Sequence, residues 1–187
     1  HYFRNIELLD ENIGFLFTLN NKFYKTIDGG TTWNQVTNIT PNPVAICGLD
    51  CVGTSTVYGC GAYFSPAYII KSTDSGNTWQ YINMSTYADA LVEVLFLDEN
   101  IGFAAGKNPT GGVILKTIDG GTTWTQLYNS NIAGDYVWKL QVLNTNQNVI
   151  FGSVEGTVPN LGKLTKSNNG GLTWIEYNAP ETYTQAV

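Results

Sequence analysis

The chain has 187 residues, enough for one domain with a hydrophobic core of its own. Hydrophobic residues make up 43% and charged residues only 13%, a balance that excludes a disordered tail or a coiled coil. A net charge of −6 removes most of the electrostatic case for nucleic acid or an anionic membrane, and no apolar run approaches the roughly 18 residues of a membrane-crossing helix.

One eight-residue phrase recurs four times: Thr26 to Trp33 (TIDGGTTW), Ser72 to Trp79 (STDSGNTW), Thr117 to Trp124 (TIDGGTTW) and Ser167 to Trp174 (SNNGGLTW). The interval of about 45 to 50 residues is that of a four-stranded propeller blade. It divides the chain into units of about 2–40, 41–86, 87–132 and 133–180, with 181–187 leading toward a fifth.

In chain order, unit one opens with a strand near Phe3–Asp10. Unit two opens near Val44–Asp50, turns between Gly53 and Thr54, and carries a longer loop over Ala62–Ala67. Unit three shows the plan most plainly. Strands are predicted over Leu91–Asp98, Ile101–Gly106, Val113–Lys116 and Thr122–Tyr128, with a loop over Lys107–Gly112 between the second and third. Unit four opens near Val137–Asn144 and has a loop over Glu155–Gly162. Helical periodicity is absent, so the expectation is an all-β propeller of four-stranded antiparallel blades, four of them present in this chain.

The repeated phrase has a mechanical reading. Asp28, Asp74 and Asp119 can each accept a backbone N–H two residues on, and Gly30, Gly76, Gly121 and Gly171 suit a positive φ. The threonine offers a hydroxyl to the same turn, and Trp33, Trp79, Trp124 and Trp174 lead into the outer strand as buried wedges. Asn169 replaces the aspartate in the fourth copy, so this position is structural rather than catalytic. At these residues the chain resembles the Asp-box, or BNR, repeat family. The style of its DENIGF and DGGTTW segments looks most like photosystem II stability and assembly factor-type repeats, which also occur in secreted bacterial proteins. The resemblance implies a β-propeller but spans enzymes, receptors and assembly factors.

The residue inventory excludes most chemistry. His1 is the single histidine and Arg4 the single arginine. The resemblance to sialidases would require three arginines on a substrate carboxylate. A catalytic triad needs a positioned imidazole, and a zinc site needs more than one histidine with Cys47, Cys51 and Cys60. No metal and no cofactor is expected. The two Asp-Glu-Asn-Ile-Gly segments read as turns rather than calcium loops.

Paired carboxylates are the catalytic option left. Asp10, Glu11, Asp28, Asp50, Asp74, Asp98, Glu99 and Asp119 fall in the repeat's own turns, leaving Glu7, Asp89, Glu93, Asp135, Glu155, Glu176 and Glu181. Asp89 and Asp135 occupy matching connections between units, and Glu155 a loop that shares their face. Aromatic residues of this loop face are the stronger lead: Tyr63, Phe64, Tyr68, Tyr87, Tyr136 and Trp138. They suit stacking on sugars or on a protein ligand, with filling of the gaps between blades as the alternative.

The sequons at Asn38 and Asn83, the low charge and the family resemblance favour an extracellular or cell-surface protein. Cys47 and Cys60 are expected to face one another across a hairpin, near enough for a disulfide. The first strand begins at once and the chain stops where a fifth would start, so further blades or a second copy are expected to complete the ring. The functional expectation is a non-catalytic module that binds protein or glycan. The alternatives are a glycoside hydrolase fragment using loop carboxylates and an assembly factor for a membrane protein complex.

Overall fold

The computed structural model describes residues 3–18, 21–61 and 66–179. Blade one comprises β1 (Phe3–Leu8), β2 (Gly14–Thr18), β3 (Lys22–Thr26) and β4 (Asn34–Gln35). Blade two comprises β5 (Ile46–Val52), β6 (Thr56–Gly61), β7 (Tyr68–Ser72) and β8 (Gln80–Asn83). Blade three comprises β9 (Ala90–Phe96), β10 (Gly102–Asn108), β11 (Gly111–Thr117) and β12 (Thr125–Asn129). Blade four comprises β13 (Tyr136–Leu143), β14 (Asn146–Glu155), β15 (Lys163–Ser167) and β16 (Ile175–Asn178). Each blade is one antiparallel sheet in simple strand order, and no helix occurs among the described residues. The first strands β1, β5, β9 and β13 pack successively on one another and form the inner side.

Side-chain alternation gives every sheet two apolar faces, and those between consecutive blades are buried against one another. Phe15, Phe17 and Phe23 of blade one pack on Ile46, Leu49, Val57 and Ile70 of blade two. Tyr58, Cys60 and Ile69 of blade two meet Leu91, Ala104 and Leu115 of blade three. Phe103, Ala105 and Ile114 of blade three meet Val137, Leu140 and Ile150 of blade four. The tryptophans are wedges in these junctions. Trp79 stands edge-on to Phe15 and Phe23, with ring centroids 5.9 and 5.2 Å away. Trp124 closes on Phe96, which stacks on Tyr58, and Trp174 packs on Tyr128 at 5.5 Å.

The repeated turn holds each wedge through side-chain bonds. The Thr26 hydroxyl donates to Asp28 Oδ1 at 2.8 Å while accepting the Gly30 N–H at 2.9 Å. Asp28 accepts the Thr32 N–H at 2.8 Å and the Thr32 hydroxyl at 2.6 Å. The aspartate therefore spans four residues, not the two expected from a simple Asx-turn. Asp74 and Asp119 repeat the pattern. In the fourth copy Asn169 accepts the Thr173 N–H at 2.9 Å and donates its own amide to the Thr173 hydroxyl at 2.8 Å. Asparagine thus builds the turn with one bond reversed. These bonds favour the ionised acid and hold Asp28 and Asp74 below the usual carboxylate range, with Asp119 at about 2.

Three expectations change. The Lys107–Gly112 segment is a tight hairpin rather than a loop, because Asn108 pairs with Gly111 and leaves only Pro109 and Thr110 between them. The Cys47–Cys60 disulfide is not formed, and all three cysteines are free thiols. The β5–β6 register centres on Thr54, so Cys60 stands opposite Gly48 while Cys47 lies in a bulge. Gly48 is required there, since a Cβ would come within 2.7 Å of the Val94 nitrogen and 2.8 Å of the Cys60 sulfur. Asp50, expected in a turn, lies within β5 and accepts the Phe96 N–H from β9.

Asp50 belongs to a charged group on the inner strands. Glu7, Asp50, Glu93 and Lys139 come from blades one to four in turn, and Lys139 pairs with Glu93 at 2.7 Å. Burial, with the neighbouring Glu7 and Glu93 charges adding to it, pushes Asp50 up to about 7. Burial raises Glu7 and Glu93 as well, outweighing the Lys139 charge.

Two outcomes follow from this architecture. A folded-state pKa above the unfolded value means that the folded chain holds a proton the unfolded chain has released. The Asp50 contribution is therefore present below the ordinary carboxylate pKa of 3.8 and lost as pH rises through about 7. Asp50→Asn keeps an acceptor for Phe96 and should be the more stable protein above about pH 8, by on the order of 2 kcal/mol, with the difference vanishing in acid, as read from urea unfolding across pH. The tryptophans also differ. Trp124 Nε1 donates to the Gly121 carbonyl at 3.1 Å, whereas the buried Trp79 Nε1 has no acceptor. Trp124→Phe should cost about 1 kcal/mol more than Trp79→Phe in the same unfolding measurement.

Candidate functional site

Short loops gather at one end of the blades. There the connections into blades two, three and four meet the segments between the second and third strands of a blade, and hydrogen bonds join the two. Ala45 donates its N–H to Asn21 Oδ1 at 2.9 Å, Asp89 donates to the Lys107 carbonyl at 2.9 Å, and Thr157 donates to Asp135 Oδ1 at 3.0 Å. The tryptophan turns lie at the opposite end.

At the inner rim of this loop end the structure assembles a column of rings and cations. Tyr136 and Trp138 stack with centroids 5.1 Å apart and an interplanar angle of 24°. They are neighbours but one on β13, so strand alternation sets the two rings on one side. Lys107 Nζ lies 4.6 Å over the Tyr136 ring, and the Arg4 guanidinium lies 5.7 Å over Trp138. The Trp138 indole N–H donates to Glu155, which fixes the ring. Ala90 and Val92 of β9, with Cys47, form the apolar floor. Burial pushes the Cys47 thiol up, against the pull of the Arg4 charge, so this sulfur stays protonated and weakly nucleophilic. Arg4 comes from blade one, Lys107 from blade three and the two rings from blade four, so only the ring-like arrangement of blades brings the column together.

The sequence-derived residues divide accordingly. Tyr136, Trp138 and Glu155 are brought together. Asp135 lies below them and is 1% exposed, with Oδ1 on Thr157 and Oδ2 buried without a partner. Asp89 is exposed at the blade-three entrance. Tyr68, expected on the loop face, is wholly buried, because its ring stacks on Tyr81 and its hydroxyl reaches the Val44 carbonyl at 2.7 Å. It is a core residue. Tyr87 is half-buried against the junction of blades two and three. Tyr63 and Phe64 lie outside the described residues, as do His1 and Glu181. Arg4 and Lys107 were missed as site members, since neither has a motif; each is marked only by its closeness to a ring across a blade boundary. Among the described residues no group of three or more His, Cys, Asp or Glu side chains could hold a metal ion.

No family model and no curated protein matches the sequence. Among solved structures the chain is similar to YCF48 bound to a D1 peptide, at 17% identity and TM-score 0.69, covering 97% of this chain and 55% of that one. It is similar to the GH74 enzyme of Niastella koreensis at 24% identity and TM-score 0.71, covering 91% of this chain and 28% of that one. The sialidase of Trypanosoma rangeli aligns at 15% identity and TM-score 0.59, over 94% of this chain and 37% of that one. The chain thus spans about half of that YCF48 and a smaller share of the two enzymes. Four antiparallel four-stranded blades and these neighbours agree on one architecture: the chain is an all-β propeller segment of four blades.

Proposed function

We propose that the chain is a non-catalytic interaction module of an exported or cell-surface protein, and that it holds a protein or glycan ligand at its loop end. The observation that carries this reading is the Arg4–Trp138–Tyr136–Lys107 column. The half-buried Trp138, backed by the buried Tyr136, offers a rigid apolar contact at little entropic cost, and the flanking cations add attraction for acidic or hydroxyl-bearing groups. The peptide-bound YCF48 supports a protein ligand within this reading.

The carboxylates support binding over hydrolysis. Glu155 is engaged by the Trp138 indole and Asp135 by the Thr157 N–H below the surface, so two of the three candidate acids already hold the scaffold. The likeness to GH74 and sialidase propellers keeps a glycoside hydrolase as the second reading. Glycan and peptide arrays probed with the chain, alongside a polysaccharide hydrolysis assay, separate the two. Binding without turnover is expected, and Trp138→Ala or Lys107→Ala should weaken the best hit about tenfold, the order of a partly desolvated cation–π contact. Hits untouched by both substitutions would place the ligand elsewhere. Turnover abolished by Asp89→Asn or Asp135→Asn would select the hydrolase.

A further inference from the structure

Of the twenty asparagines in the sequence, Asn169 is the one followed by glycine. A carboxamide in front of glycine is open to attack by the next backbone nitrogen, because no Cβ shields that nitrogen and glycine reaches conformations that other residues rarely adopt. The Gly170 nitrogen bonds to Asn169 Cγ, the bond from Cγ to Nδ2 breaks, and ammonia leaves with the Gly170 proton. Water then opens either carbonyl–nitrogen bond of the resulting succinimide. One opening leaves aspartate, and the other leaves its isomer, with the main chain routed through the side-chain carbon. Asn169 is exposed, so water reaches it.

The fold restrains the first step. The Gly170 N–H donates to the Asn148 carbonyl at 2.9 Å, and Asn169 Oδ1 accepts the Ser167 hydroxyl at 3.0 Å and the Thr173 N–H at 2.9 Å. Attack on Cγ needs the nitrogen released from Asn148 and the carboxamide released from Thr173, so the turn must open first. It leads into β16, four residues at the edge of its sheet, and such ends open without unfolding of the rest.

The other three turns show which product fits. Asp28, Asp74 and Asp119 hold the same position, and each accepts both the N–H and the hydroxyl of the threonine four residues on. An aspartate at position 169 needs only that the Thr173 hydroxyl turn from acceptor to donor. The isomer lengthens the main chain by one carbon just before Gly171, where a Cβ would already lie 2.3 Å from Leu127 Cδ1. Trp174 Nε1 donates to the Gly171 and Leu127 carbonyls, both at 3.1 Å, so that lengthening pulls the wedge from the junction of blades three and four.

We propose that Asn169–Gly170 is a self-modification site: local opening of the fourth turn lets the asparagine deamidate, and hydrolysis to aspartate gives this turn the bonding of the other three. Water is the only co-reactant. None of the loop-end residues takes part, so this site and the proposed binding function can fail separately.

Incubation of the folded chain at mildly alkaline pH, with tryptic mapping of the peptide that begins at Ser167, tests it. The amide-to-acid mass change should appear at Asn169 ahead of the other nineteen asparagines. Its rate should be about tenfold below that in unfolding urea and unmoved by urea well below the transition, as local opening requires. Asn169→Gln should suppress it. Asn169→Asp should unfold at higher urea than the unaltered chain. That gain should vanish as pH falls below the ordinary carboxylate value of 3.8, because the same bonds hold Asp28 and Asp119 below it. The fraction labelled by an isoaspartyl methyltransferase should unfold earlier. The proposal is overturned by another asparagine converting first, by equal rates folded and in urea, or by a folded chain that never converts while the unfolded one does. An Asn169→Asp chain less stable than the unaltered one overturns it as well.

Discussion

A blade of this protein cannot bury its faces by itself, and the remaining features follow from that constraint. A four-stranded sheet with apolar residues on alternate sides needs a neighbour on each. The tryptophan turn supplies the fit. Its aspartate or asparagine ties the turn over four residues, its glycine lets a ring come close, and the tryptophan fills the space between sheets. Burying such wedges is worth several kcal/mol each by general measure, well above the cost of ordering one turn. Every junction in the chain depends on it.

The two ends of the blades answer to different demands. At the turn end all four copies carry nearly the same bonds, because any change there moves a wedge. At the loop end the backbone is tied by single contacts such as Thr157 to Asp135, which leave side chains free to differ between blades. The ring–cation column arises where those differences meet near the inner strands. A scaffold that is uniform at one end and variable at the other is how repeat folds acquire binding surfaces without loss of stability.

The inner strands carry charge that the junctions do not need. Lys139 compensates one of three acids directly, and Asp50 is left with a backbone N–H as its partner. Its proton affinity is raised by burial in a way that the exposed turn aspartates, well supplied with hydrogen bonds, never experience. The same residue type is thus driven in opposite directions by position alone.

The sequence by itself determined the all-β class, the blade period and the four turns, because these rest on contacts within eight residues and on a repeat visible without any structure. It also marked Tyr136, Trp138 and Glu155, which lie within two adjoining strands of one sheet. Contacts between sheets and the exact pairing of strands were decided only in the tertiary structure. A hairpin register centred on Thr54 set Cys60 opposite Gly48 rather than Cys47, and the stacking of blades turned Tyr68 into core. Packing of inner strands took Asp50 out of its expected turn and set Arg4 and Lys107 over rings from another blade. Side-chain direction in a strand reverses with each residue, so a shift of one in register, unreadable from composition or period, decides which face a residue serves.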